Sequence, residues 1–127
     1  MRRIVLVTAA GLALAACGGG SQENAAREAA SEWLTAVYDS DGTGACELLT
    51  LETASAASSC ELAYSSLGEA LAESLGAAGV TREAVADGAA LAVELRGEQA
   101  TVRIRGTGRS LELSRTSDGW RVSRGLR

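Results

Sequence analysis

Apolar residues follow a helical period through the first part of this chain and a period of two through the last. Between 24 and 38, Ala26, Ala30, Trp33 and Val37 recur at spacings of four, three and four, with Arg27, Glu28 and Glu32 between them, which predicts a helix with one apolar stripe. Asp39-Ser40-Asp41-Gly42 breaks it. Thr43 is placed to cap a second, shorter helix carrying Cys46, Leu48 and Leu49, and 52–57 is polar and without period. Ser58-Ser59-Cys60-Glu61 then reads as a capping box, with the serine and the glutamate each satisfying an orphan amide at a helix start. Behind it Cys60, Tyr64, Leu67, Leu71 and Leu75 predict a third, long helix that stops at Gly76 and Gly79.

After Ala90 the pattern alternates. Leu91, Val93 and Leu95, then Ala100, Val102 and Ile104, are separated by single polar or small residues, and Gly97-Glu98 suits a two-residue hairpin turn. That hairpin pairs Leu95 with Ala100, Val93 with Val102 and Leu91 with Ile104. Turns at 106–109 and 117–119 separate two more strands. Matching apolar residues across them predicts Ile104 opposite Leu111, Val102 opposite Leu113, Leu113 opposite Trp120 and Leu111 opposite Val122. On the other face the same register sets Arg103 opposite Glu112, Glu112 opposite Arg121, and Glu94 diagonal to Arg103. The predicted class is α+β, with N-terminal helices packed on a curved, antiparallel, four-stranded meander.

The N-terminus carries a different signal. Arg2 and Arg3 precede an apolar run from 4 to 16, which ends on small residues before Cys17 and Gly18-Gly19-Gly20. This is the layout of a secretory signal, and the run is shorter than the 20 or so residues that a hydrocarbon core requires. Leu14-Ala15-Ala16-Cys17 resembles the lipobox of bacterial lipoproteins, in which the cysteine thiol receives a diacylglycerol before cleavage. The resemblance implies removal of 1–16, a lipidated Cys17, a flexible tether over 17–23 that reaches at most about 20 Å, and one domain over 24–127. Lipid anchoring at the extracytoplasmic face of a cell membrane is then the expected location. An ordinary signal peptide or a short buried helix accounts less well for the charged start and the glycine run.

Export changes the reading of the other two cysteines. Cys46 and Cys60 lie at the starts of neighbouring predicted helices, and an exported chain with two such thiols is expected to join them in a disulfide. Two thiols without any histidine cannot complete a structural zinc site, and Cys-x-x-Cys is absent, so neither a metal nor redox catalysis is expected.

Composition adds an asymmetry. The formal charge of −4 becomes −6 once Arg2 and Arg3 are lost, which excludes a general attraction to nucleic acid. From 17 to 90 there are 12 acids and two arginines, and from 91 to 127 eight arginines and four acids; there is no lysine.

Helices followed by a meander that ends in Gly119-Trp120-Arg121-Val122 resemble the nuclear-transport-factor-two-like cone, and specifically its small domains in bacterial lipoproteins. The elements that carry the likeness are 25–38, Ala45-Cys46-Glu47-Leu48-Leu49, Ser59-Cys60 and Gly97-Glu98-Gln99-Ala100-Thr101-Val102. The resemblance implies a pocket between sheet and helices, in which some members do isomerase, dehydratase or hydrolase chemistry with aspartate, histidine or tyrosine. Here histidine is absent and every inward strand position is apolar, leaving Tyr38, Asp39, Asp41 and Tyr64 as polar candidates. Each reads better as a core ring or a turn residue, so no enzyme and no cofactor is expected. Two non-catalytic functions remain. One is an envelope interaction or scaffolding module whose outer sheet face, with Arg96, Arg103, Arg105 and Arg121, meets an envelope protein, anionic polymer or lipid heads. The other is a binder of a small apolar ligand. The polar outer face predicts a monomer.

Overall fold

A computed structural model describes the backbone of residues 3–56 and 60–127, and side chains from residue 20 onward except at 55 and 56. The first element, α1 (Arg3–Tyr38), is one 36-residue helix. Its apolar stripe is the predicted one with Leu34 added: Ala26, Ala30, Trp33, Leu34 and Val37 are all buried. The helix also runs through 17–23, where a flexible tether was expected. Gln22 explains part of the extension, because its Oε1 accepts a 3.1 Å bond from Trp120 Nε1 and so seats this turn on the sheet. Glu23 adds a contact to Arg27 one turn on, at 4.0 Å. The three glycines at 18–20 each cost about 1 kcal/mol relative to alanine, which makes theirs the weakest turn of α1.

The predicted break at 39–42 is present. Ser40 takes φ +60°, Asp41 N–H donates to Ala36 O at 2.8 Å and Ser40 N–H to Val37 O at 3.0 Å, the two reverse bonds of a Schellman end. The cap of α2 (Gly42–Glu47) is Asp41, whose Oδ1 accepts from Gly44 N–H at 3.0 Å, and not Thr43. Leu48 and Leu49 lie beyond this helix. They run beside the last strand, where Val122 N–H donates to Leu48 O and Thr50 N–H to Val122 O, covering what would be an open sheet edge. A short helix, α3 (Leu51–Ala56), occupies most of the polar stretch that carries no period. The Ser58-Ser59 half of the capping box lies outside the described residues.

The long third helix is two helices, α4 (Cys60–Ser65) and α5 (Gly68–Ala77). Ser65 and Ser66 hydroxyls bond back to the carbonyls of Glu61 and Ala63, which favours a break there. Gly68 then packs so closely on the end of α1 that a Cβ would collide with Ser40 and with the carbonyls of Val37 and Tyr38. The break lets Gly68 hold this contact while Cys60 stays tied to α2. Thr81 caps α6 (Arg82–Ala86), an element without a sequence signal strong enough to predict it.

The sheet is a meander in the order β1 (Leu91–Arg96), β2 (Gln99–Ile104), β3 (Arg109–Thr116), β4 (Gly119–Arg124), all antiparallel. The first hairpin has the predicted register. The other two pairings differ by two residues: Val102 faces Leu111, Ala100 faces Leu113, and Leu113 faces Val122. A slip of two keeps every side chain on its face, so the apolar face survives the correction. Tight turns decide the slip. Thr107 Oγ1 donates to Ile104 O at 2.7 Å and accepts from Arg109 N–H at 3.0 Å, closing the loop at 105–108. Thr116 Oγ1 does the same at 117–118, donating to Gly119 O at 2.8 Å and accepting from Asp118 N–H at 3.2 Å. Leu91, Ala100, Val102, Ile104, Leu111, Leu113, Trp120 and Val122 are buried against the stripe of α1, forming one core.

Candidate functional site

The end of this core is open. Trp33 and Val37, one turn apart on α1, face Leu71 and Ser74 of α5, while Tyr64 of α4 and Leu67 form a second wall. Arg109, at the start of β3, and Gly125 and Leu126, just past β4, close the third side. Together they line a cleft of about 250 Å³. The tyrosine ring stands edge-on to the indole, with centroids 5.5 Å apart and planes at 79°, a favourable aromatic geometry.

Polar groups in the cleft are few. Trp33 is 1% exposed, and its Nε1–H has no hydrogen-bond partner among the described residues. Burial pushes the Tyr64 hydroxyl above its ordinary pKa, so it stays a neutral donor. Arg109 is exposed at the mouth and makes no ion pair among the described residues. Among the described residues the lining contains no carboxylate. It can exclude water, stack an apolar group and donate hydrogen bonds.

The predicted site residues separate. Cys46 and Cys60 are joined, S–S 2.05 Å and Cα atoms 6.1 Å apart. Tyr64 is in the cleft, whereas Tyr38 is not part of its lining. Asp41 is a helix cap. Asp39 accepts from Arg82 Nε at 2.9 Å and Nη2 at 2.6 Å, a bidentate pair that ties the end of α1 to α6. Cys17 carries no described side chain. On the sheet, Arg96, Arg103, Arg105 and Arg121 share the outer face but form no single cluster: Arg103 and Arg105 are at one end of β2 and Arg96 is paired at the other. Arg103 faces Ser110 and not Glu112, and it makes no ion pair among the described residues. Arg121 faces Ser114 and donates to the Trp120 carbonyl at 3.0 Å. Glu112 pairs instead with Arg124, at 3.5 Å, across a bulge between Glu112 and Leu113.

Two residues outside the expected site, Ser31 and Arg109, complete the picture. Ser31 Oγ lies 2.7 Å from the carbonyl oxygens of both Val85 and Ala86, sharing its one proton between them and docking α6 on α1. A serine beside the apolar stripe was the clue available. Arg109 had a clearer one, since it shares its strand parity with Leu111 and Leu113, the inward residues of β3.

The Asp39–Arg82 pair gives a pH prediction. Hydrogen bonds from Arg82, with its positive charge in addition, hold the Asp39 carboxyl below the ordinary value in spite of slight desolvation. The unfolded chain therefore binds this proton first as pH falls, so the pair's contribution is complete above about pH 4 and is lost as pH drops through the folded value. Arg82→Ala should move the carboxyl resonance midpoint of Asp39 upward. An unchanged midpoint would show that Arg82 is not its partner in solution.

Compared with known protein families, with curated proteins and with solved structures, the chain matches none of them.

Proposed function

We propose that this chain is an extracytoplasmic, lipid-anchored protein whose domain binds a small, largely apolar molecule in the cleft beside Trp33 and Tyr64. The observation that carries the reading is the cleft itself, about 250 Å³ and walled mainly by Trp33, Val37, Leu67, Leu71 and Leu126. An apolar cavity of about 150 Å³ suffices to admit benzene, so this one has room for a substituted ring or a short acyl chain. A domain selected only to be a scaffold would gain stability by filling that space. The chemistry is binding without turnover, and the domain acts as a monomer with its outer sheet face in water. Native mass spectrometry of the envelope-extracted protein tests this. A retained small molecule that leaves on Leu71→Trp, which fills the cleft, is the expected result; an empty protein that also takes up no added apolar compound would refute it.

Anchoring rests on Arg2, Arg3, the apolar run and the lipobox-like Leu14-Ala15-Ala16-Cys17. No helix among the described residues is long and apolar enough to cross a membrane. Attachment through a Cys17 lipid, close to the domain, is the corresponding arrangement. Cys17→Ser should abolish incorporation of labelled fatty acid, and undiminished labelling would remove the lipoprotein reading. The order of helices then meander supports placing the domain among nuclear-transport-factor-two-like folds.

A second reading, an envelope interaction module, draws on Leu51 and Leu62, 84% and 72% exposed on α3 and α4, rather than on the dispersed arginines. Polar substitution of both leucines, with ligand retention unaltered and a cross-linked envelope partner lost, would favour it.

A further inference from the structure

We propose that the cleft selects an apolar monocarboxylate, an acyl or aromatic tail carrying one carboxylate directed at Arg109 and the Tyr64 hydroxyl. The inference rests on the apolar-ligand reading above and narrows it to one chemical class.

The donors and acceptors are one-sided. The Tyr64 hydroxyl lines the cleft and, with the Cη2 and Cζ2 edge of the Trp33 ring, lies about one van der Waals contact from Gly125, at 3.6, 3.5 and 3.7 Å from where a Cβ would be. Arg109 supplies a charge at the mouth, and among the described residues no acidic side chain lines the cleft to neutralise it. Since Arg109, Leu111 and Leu113 alternate onto the inner face of β3, the pleat directs this one cation to the core side at the strand's open end. A neutral apolar guest would leave the Arg109 charge at the mouth without a counter-ion. An amine would meet an uncompensated guanidinium. A carboxylate satisfies both donors with charge-assisted bonds, which are roughly twice as strong as neutral ones. With a single cation among the described lining residues, a second carboxylate would have to be desolvated without a partner.

The test uses the full chain in phospholipid nanodiscs, with partitioning into empty discs subtracted, and three probes of equal chain length: octanoate, octanol and octylamine. Octanoate should bind at least about tenfold more tightly than octanol, and octylamine more weakly than either. Tyr64→Phe, which keeps the ring against Trp33, should weaken octanoate severalfold and leave octylamine as it was. Arg109→Gln, at an exposed position that leaves the core intact, should bring octanoate to within about threefold of octanol and leave octanol unchanged. Gly125→Leu should abolish all three by filling the cleft; retained octanoate binding in that variant would place the site elsewhere and overturn the proposal. Equal binding of octanoate and octanol overturns carboxylate selection alone and leaves the apolar-ligand reading standing. If none of the three binds, the ligand reading itself fails, and this inference with it.

Discussion

Trp33→Ala should lower the free energy of unfolding by about 4 kcal/mol, a large part of the 5–15 kcal/mol typical of a small domain. Trp33 is 1% exposed, lies at the centre of the α1 stripe and packs edge-on against Tyr64. Its removal therefore opens a cavity continuous with the cleft and frees the α4 wall. Trp33→Phe should behave differently. The phenyl ring keeps contact with Tyr64 and the core, and the substitution deletes a buried donor that has no partner among the described residues. Leaving such a donor buried costs about 1–3 kcal/mol, so its deletion offsets much of the lost indole volume. The expected loss for Trp33→Phe is below about 2 kcal/mol. Urea denaturation of both variants measures the contrast. Equal losses would show that the indole N–H is satisfied in solution.

Removal of the Cys46–Cys60 bond is the second large effect. The bond closes a loop of sequence separation 14, and the chain-entropy relation assigns such a loop roughly 3 kcal/mol. The loss should fall unevenly. No described residue of α4 is fully buried, and Leu62 points to solvent, so packing contributes little to holding this helix. What remains besides the bond is the edge contact of Tyr64 with Trp33 and the close approach to α2, where Gly42 is buried and a Cβ would collide with the Glu61 carbonyl. Cys46→Ala with Cys60→Ala should thus raise amide exchange in α4 to nearly unprotected rates while α1 and the strands stay protected. Since α4 carries Tyr64, ligand affinity should fall in the same variant even where the rest of the domain is folded. Uniformly increased exchange across α1, α4 and the sheet would mean that the bond stabilises the domain as a whole and not this wall.

Some of this architecture could be read from residue order, for local reasons. A period of 3.6 at Ala26, Ala30, Trp33 and Val37, and a period of two from Leu91 to Val122, report which face of each segment is buried without reference to any other segment. The α+β class, the meander, the Gly97-Glu98 hairpin and the inward face follow from those periods and their turn residues. The disulfide was legible because the chain, read as exported, has only two cysteines besides Cys17. Periodicity predicts faces but is blind to a slip of two residues, since such a slip exchanges one inward neighbour for another; the threonine-closed turns at Thr107 and Thr116 chose between them. It is equally blind to a break that preserves the stripe, so α4 and α5 read as one helix in the sequence, and only the fold shows Cys60 tied to α2 and Gly68 packed on α1 on either side of the break.

The cleft belongs wholly to the tertiary structure. Trp33, Tyr64, Leu71, Arg109 and Leu126 come from five separate stretches of chain, and no local pattern records that their side chains converge or that a space is left between them. Whether an indole N–H finds an acceptor, and whether an arginine finds an acid, depends on neighbours distant in sequence. The residue types and their burial were therefore determined by the sequence through local periodicity. The unfilled space and its unpaired donors were decided only when helices and sheet met, because packing is a property of surfaces brought together and not of any one of them alone.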